Sequence, residues 1–198
     1  MVDIVLVRHA STAWTGVRFC GTSDPPLSVA GRAEAQRVAT DLASWFAPDA
    51  RVVSSPARRA TATAEAIASA ASLDVTIDVD DRWRETDVGV ADGRTFDELV
   101  AIDPGLAAAL AAGETIIDWP GGESASALAT RVAEAWRDVM VDPRPAVIVT
   151  HAWPLLHALA LAKGRPPEAQ DHVPPGGIVR LEVPVFGSFG PTVLPSGT

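Results

Sequence analysis

The side chains able to do chemistry in this 198-residue chain lie in small groups far apart in sequence. Arg8 adjoins His9, Arg58 adjoins Arg59, and His151 comes much later. Of the 16 Lys and Arg residues only Lys163 is a lysine, so an anion held here must be held by arginine forks. A guanidinium neutralises phosphoryl oxygens bidentately. A neutral imidazole, with an ordinary pKa of about 6.5, is a competent nucleophile toward phosphorus. A second imidazole can hydrogen-bond the equatorial oxygens. Two histidines with two arginines therefore suit phosphoryl transfer through a covalent enzyme intermediate. That chemistry also needs an acid to protonate the departing alkoxide. In WRETDVGVADG the carboxyl candidates are Glu85, Asp87 and Asp92. Glu85 stands two residues from Trp83, and an apolar neighbour can raise a carboxyl pKa toward the operating range.

These residues must be positioned by elements, and the pattern names them. Residues 2–7 (VDIVLV) read as a buried strand, as do 51–54 (RVVS) and 146–150 (AVIVT). A weaker strand covers 75–79, and IVRLEV at 178–183 reads as the last main strand. Between them lie helices. Ser28 caps a pattern with apolar positions at Ala35, Val38, Ala39, Leu42, Trp45 and Phe46, with Pro48 past its end. Residues 57–71 are nearly all good helix formers; Ser124 opens another helix, and 153–163 forms one more. Residues 82–122 are broken by Gly89, Gly93, Pro104, Gly105, Gly113 and Pro120 and read as loops and short helices. Strands alternating with helices predict an α/β fold, three layers with a mostly parallel central sheet. Such sheets bind ligands beyond the carboxyl ends of their strands. Arg8 and His9 follow the first strand, Arg58 and Arg59 the second, and His151 the strand at 146–150, so the predicted edge is anion-seeking.

Composition narrows the classes. A net charge of −9 argues against a general nucleic-acid or anionic-membrane binder. No apolar run reaches the roughly 18 residues that span a bilayer. A single cysteine, Cys20, makes no internal disulfide, and a reducing cytoplasm is the expectation. Length and continuity suit one domain over 1–198, with an irregular tail from about residue 184.

Several segments carry a resemblance. VLVRHAST is similar to the signature of the histidine phosphatase (phosphoglycerate mutase-like) superfamily, whose usual form is Arg-His-Gly with a following Thr. Arg18-x-x-Gly21-x-x-Asp24-x-Pro26-Leu27-Ser28 resembles its phosphate-loop extension. SSPARRATATA resembles its Ser-Ser-Pro-Leu-x-Arg-Ala element and selects Arg59 over Arg58. Glu85-x-x-x-Gly89-x-x-x-Gly93, PGGES (120–124) and VTHAW (149–153) resemble its remaining elements, in the same order. The resemblance implies His9 as the phosphorylated nucleophile. It implies Arg8, Arg59 and His151 as ligands of the phosphoryl group, with Thr15 and Gly21 as further phosphate contacts. Glu85 becomes the general acid, then the base for water. Thr15 stands where the family often has asparagine, with shorter reach, and Ala10 replaces the usual glycine. The family needs no cofactor or metal, and no His/Cys/Asp cluster here has metal-ligand spacing.

The implied activity is phosphomonoester hydrolysis of a small phosphorylated metabolite. The true mutases of this superfamily are longer, with extra residues capping the site. Here 93–122 is short and its Leu106–Gly113 stretch nearly chargeless. The alternatives are a cofactor-dependent phosphoglycerate mutase and a domain that only binds a phosphorylated ligand; the second would be expected to lack a catalytic group. Sugar phosphates, phosphoglycerate relatives, the α-ribazole phosphate of cobalamin assembly and protein phosphohistidine all stay open as substrates. The substrate wall is expected between Arg94 and Ser124, with Ile116, Ile117 and Trp119 as an apolar rim. Trp14 and Trp153 are further wall candidates. Arg58 is expected on a solvated helix face, His157 as packing or surface, His172 in a loop outside the site, and Cys20 as structural, since no arginine follows it at the spacing of a cysteine phosphatase loop. A homodimer is the base-rate expectation for assembly.

Overall fold

The computed structural model describes residues 1–47, 49–71 and 76–184. Strands β1 (Val2–Arg8), β2 (Arg51–Ser54), β3 (Ile77–Val79), β4 (Ala146–Thr150) and β5 (Ile178–Val183) form one sheet in the order β3-β2-β4-β1-β5. β1 to β4 run parallel and β5 is antiparallel to β1. β1 and β4 pair from Ile4 with Ala146 to Arg8 with Thr150, so both strands deliver their last residues to the same edge.

Alternation along β1 makes the three layers. Ile4 and Leu6 face one side, where they pack with Leu128, Val132 and Ala135 of α5 (Ala125–Val141) and Leu155 and Ala158 of α6 (Ala152–Lys163). Val5 and Val7 face the other, against Val38, Ala39 and Leu42 of α1 (Val29–Leu42) and Ala60, Ala64 and Ile67 of α2 (Arg58–Ala70). Each such aliphatic side chain contributes about 1.5–3 kcal/mol on full burial. A strand buried on both faces has no polar stripe, which is why VDIVLV is so nearly continuous.

Element boundaries follow local chemistry. Ser28 caps α1, its Oγ accepting from the Gly31 amide at 2.9 Å. The helix stops at Leu42, short of the apolar pattern; Trp45 and Phe46 reach the same core face from the following turn. Expected Pro48 and the first part of the strand over 75–79 lie outside the described residues, as does the tail from 185. The Gly-rich middle holds α3 (Phe96–Ile102), α4 (Pro104–Ala111) and 3₁₀ turns at Asp81–Trp83 and Gly89–Ala91. α6 begins one residue earlier than expected, with His151 at its N-cap position, and ends on Gly164 in the left-handed conformation at φ 63°. Among the described residues no helix is long and apolar enough to cross a membrane.

Candidate active site

The sheet's carboxyl edge carries a cavity of about 150 Å³. Arg8, His9, Thr15, Arg59 and Glu85 all line it. His151 is fully buried directly behind His9, with ring centroids 4.9 Å apart and planes at 62°. Residues drawn from β1, α2, β4 and the middle segment therefore converge on one point.

Bonding partners set the His9 tautomer. Its Nδ1 lies 2.8 Å from the Ala10 carbonyl oxygen, which only accepts, so Nδ1 carries the proton. Nε2 then holds the lone pair, and the Arg59 Nε–H donates to it at 3.3 Å. Burial, reinforced by the Arg59 charge, pulls the His9 pKa down from 6.5 to about 3, so the ring stays neutral near pH 7. Burial likewise holds His151 well below 6.5, with His9 and the arginines adding to it. His151 Nε2 meets the Ser55 hydroxyl at 2.7 Å, and its buried Nδ1 makes no hydrogen bond among the described residues.

Arg59 is held by backbone. Its Nη1 and Nη2 donate to the carbonyls of Ser23 at 3.0 Å and Gly21 at 3.4 Å, and Asp24 lies 3.6 Å away. The same Asp24 accepts the Arg58 amide at 2.9 Å and so serves the start of α2, whose N-cap residue is an alanine with no capping side chain. Asp92 shapes that loop: its carboxylate accepts from the amides of Gly21 at 2.7 Å and Ser23 at 3.0 Å. The Gly21 amide, expected as a phosphate contact, is thus engaged by Asp92, and Gly21 is not among the cavity-lining residues. A Cβ at Gly21 would sit 2.8 Å from the Thr86 carbonyl, so glycine is required there by the close passage of two backbones. Arg8 donates from Nη1 to the Val173 carbonyl at 2.9 Å.

The three carboxyl candidates separate cleanly. Asp92 holds the loop just described, and Asp87 accepts from the Gly89 amide. Glu85 alone lines the cavity. Its carboxylate accepts from the amides of Thr86 at 2.9 Å, Ala152 at 3.1 Å and Trp153 at 3.3 Å. Two of these are the free N–H groups at the start of α6, so Glu85 serves that helix as its cap. Burial raises the Glu85 pKa above its ordinary value, while the Thr86 amide, Arg8, Arg59 and the Trp153 amide oppose the rise. Trp83 is packed in the main core with Ile4 and Leu6 and does not line the cavity. The apolar groups that do include Trp14, Phe19, Val88, Ala152 and Trp153.

Thr15 lines the cavity; its Oγ1 accepts from the Thr12 amide at 2.9 Å and lies 3.5 Å from the Thr12 hydroxyl. The Ala10 methyl sits among Leu27 and Ala35, off the cavity, which accommodates the departure from glycine. The expected wall is corrected. No residue between Arg94 and Ser124 lines the cavity; Thr12, Trp14, Thr15, Arg18 and Phe19 do, with Trp153. Ile117 and Trp119 are buried with Leu99 and Leu106, and Ile116 is exposed elsewhere. The 94–124 segment spends its apolar residues on its own small core beneath the wall. Trp119 supports Trp153 edge-on at 5.6 Å, and His172 meets the same ring at 5.7 Å. His157 is buried beside an apolar groove between α5 and α6, its Nε2 unpaired among the described residues. The Cys20 thiol lines the cavity but donates to the Ser23 carbonyl, and burial raises its pKa to about 11, which leaves little thiolate.

Sequence reasoning missed Ser55, Asp24 and Arg18 as site residues, though each falls in a segment it quoted. Among the described residues no group of three or more His, Cys, Asp or Glu side chains is placed to hold a metal ion.

Comparisons with known proteins identify the family and the fold. The model of the histidine phosphatase superfamily (branch 1) matches residues 4–184. A probable phosphoglycerate mutase GpmB of Salmonella paratyphi C is 36% identical over 155 residues, 76% of this chain and 70% of that protein. The solved structure of a mycobacterial glucosyl-3-phosphoglycerate phosphatase superposes with a TM-score of 0.76 at 28% identity, covering 90% of this chain and 89% of that one. YhfR of Bacillus stearothermophilus gives a TM-score of 0.81 at 26% identity, with 92% of each chain covered. The chain belongs to the histidine phosphatase superfamily.

Proposed function

We propose that this superfamily member is a phosphomonoester hydrolase that works through phospho-His9 on a small phosphorylated metabolite. The observation that carries the reading is the His9 Nε2 lone pair, aimed at a cavity where Arg8, Arg59 and Glu85 meet. Nε2 attacks phosphorus as the bond to the leaving oxygen breaks. Arg59 turns its donors from Nε2 to the phosphoryl oxygens, joined by Arg8 and the Thr15 hydroxyl. Glu85 gives its proton to the departing oxygen. In the second half Glu85, now a carboxylate, takes a proton from water as that oxygen bonds phosphorus and the P–N bond breaks. Inorganic phosphate, neutral His9 and protonated Glu85 result. Opposing influences on the Glu85 pKa suit a group that must carry the proton in one step and accept it in the next.

Hydrolysis is supported over transfer between phosphoglycerates by the wall. Among the described residues the only cation lining the cavity beyond Arg8 and Arg59 is Arg18, and it is tied to the Gly93 carbonyl at 2.6 Å and to Glu98 at 3.4 Å. A carboxylated bisphosphate would want more. The cavity instead offers Trp14, Phe19 and Trp153 to an uncharged body. The mutase reading has one observation in its favour, the name of the Salmonella relatives. The single cysteine supports a cytoplasmic setting.

The test is a leaving-group comparison. Glu85→Gln should lower turnover of an alkyl phosphate by about 10²–10⁴-fold. Formation of the phosphoenzyme from p-nitrophenyl phosphate should hardly change, because nitrophenolate leaves without a proton. Equal losses on both substrates would remove Glu85 from the acid role. Coupled assays for phosphate release and for 2- to 3-phosphoglycerate conversion decide between hydrolase and mutase.

A further inference from the structure

We propose that the buried ion pair between Glu123 and Arg131 is the device that positions Glu85, and that it serves proton transfer without serving phosphoryl binding. The proposal rests on the reading of Glu85 as the proton donor.

Arg131 projects from the apolar face of α5, between Leu128 and Val132, and is 8% exposed. Its Nε and Nη2 form a two-pronged contact with the Glu123 carboxylate at 2.7 and 2.8 Å. Its Nη1 donates to the carbonyls of Arg82 at 2.8 Å and Arg84 at 2.9 Å. Glu123 continues the chain of contacts. Its Oε2 accepts from the Thr86 hydroxyl at 3.0 Å, and its amide donates to the Asp87 carbonyl at 2.8 Å. The pair therefore grips residues 82, 84, 86 and 87, on both sides of Glu85. The Thr86 amide, fixed in this way, is itself a donor to the Glu85 carboxylate.

This grip substitutes for secondary structure. Glu85 sits between 3₁₀ turns, with no ladder or α-helix to hold its backbone. A guanidinium fork has enough donors to hold a carboxylate and two carbonyls at once. Glycine completes the seam: a Cβ at Gly122 would fall 2.2 Å from the Asp87 carbonyl, so the two segments touch backbone to backbone. None of Glu123, Arg131 or Thr86 lines the cavity, and none makes a hydrogen bond to Arg8, His9, Arg59 or His151. Loss of either member would leave an uncompensated buried charge, so the pair holds its contacts as a unit.

The experiment compares Arg131→Gln and Thr86→Val with Glu85→Gln and wild type. Thr86→Val removes one hydroxyl at nearly constant shape and keeps the test open if Arg131→Gln fails to fold. Single-turnover phosphoenzyme formation is measured from an alkyl phosphate and from p-nitrophenyl phosphate. Misplacement by a fraction of an ångström to an ångström should slow the alkyl substrate on the order of ten- to a hundred-fold in Arg131→Gln, less in Thr86→Val. The nitrophenyl rate should stay within about two-fold of wild type, since that leaving group needs no proton. Equal losses on both substrates, or no loss on the alkyl one, would overturn the proposal. If Glu85→Gln itself shows no preference between leaving groups, the acid assignment fails; if it does and the other variants do not, only the positioning role fails.

Discussion

In the proposed mechanism, the half of the site that would grip the phosphoryl group and the half that would move the proton are built on different principles. Arg8, His9 and His151 extend directly from β1 and β4, whose pairing runs unbroken to Arg8 and Thr150. Glu85 has no such ladder; it is held by amides of α6 and by a buried ion pair across α5. Binding a fixed dianion rewards rigid, preorganised donors, and the end of a parallel sheet supplies them. A proton donor needs a raised pKa and sub-ångström placement, so it is buried on an irregular segment and clamped from outside. The two halves share one join: Glu85 caps the helix that begins at His151.

That contrast can be broken by experiment. The largest effect belongs to the nucleophile. His9→Ala should cut turnover on the order of 10⁴-fold or more and abolish acid-labile, alkali-stable phosphoenzyme in alkaline-quench trapping, whatever the leaving group. Residual labelling in that variant would put the nucleophile elsewhere. Arg59→Met should cost about 10²–10³-fold, equally on alkyl and aryl phosphates, because its donors serve the nucleophile and the transferred group and not the leaving oxygen. A marked preference between the two substrates would blur the division. Arg59→Lys should recover little, since a lysine lacks the fork that spans Ser23, Gly21 and the phosphoryl oxygens. Asp92→Ala should act on the same half at one remove. Freeing the loop of Gly21 and Ser23 should raise KM on the order of ten-fold on both substrates. A selective loss of kcat on alkyl phosphates would instead link Asp92 to the acid.

The smallest effect concerns stability. The unfolded chain protonates its histidines below about pH 6.5, while folded His9 resists until about pH 3. A depressed folded pKa means stability present above pH 6.5 and lost progressively as pH falls toward 3. Melting temperature should decline through that window, and His9→Asn should decline less steeply. Parallel slopes for the two proteins would deny the buried neutral imidazole.

Much of the phosphoryl half was legible because it is local in sequence. A strand pattern followed at once by Arg8 and His9, or by His151, places those residues at an edge without any knowledge of tertiary contacts. Glu85 was named, but with Asp87 and Asp92 as equals on position alone; only packing showed the first facing the cavity and the last tying a loop. The wall was misplaced for the same kind of reason. An apolar run such as Ile116, Ile117 and Trp119 reads alike whether it lines a pocket or fills a satellite core, and here Ile117 and Trp119 do the second. Arg131 did leave a trace, a charge on the apolar stripe of a helix that includes Leu128, Val132 and Ala135. The trace marks a buried partner without saying which.

Periodicity and residue type, which are properties of consecutive positions, were enough to determine the layered sheet, its strands and the imidazole and guanidinium groups at its edge. Which oxygen each donor meets, which carboxyl is buried, and what holds Glu85 in place are relations between residues dozens of positions apart. Those depend on how the layers close over one another, and only the folded chain decides them.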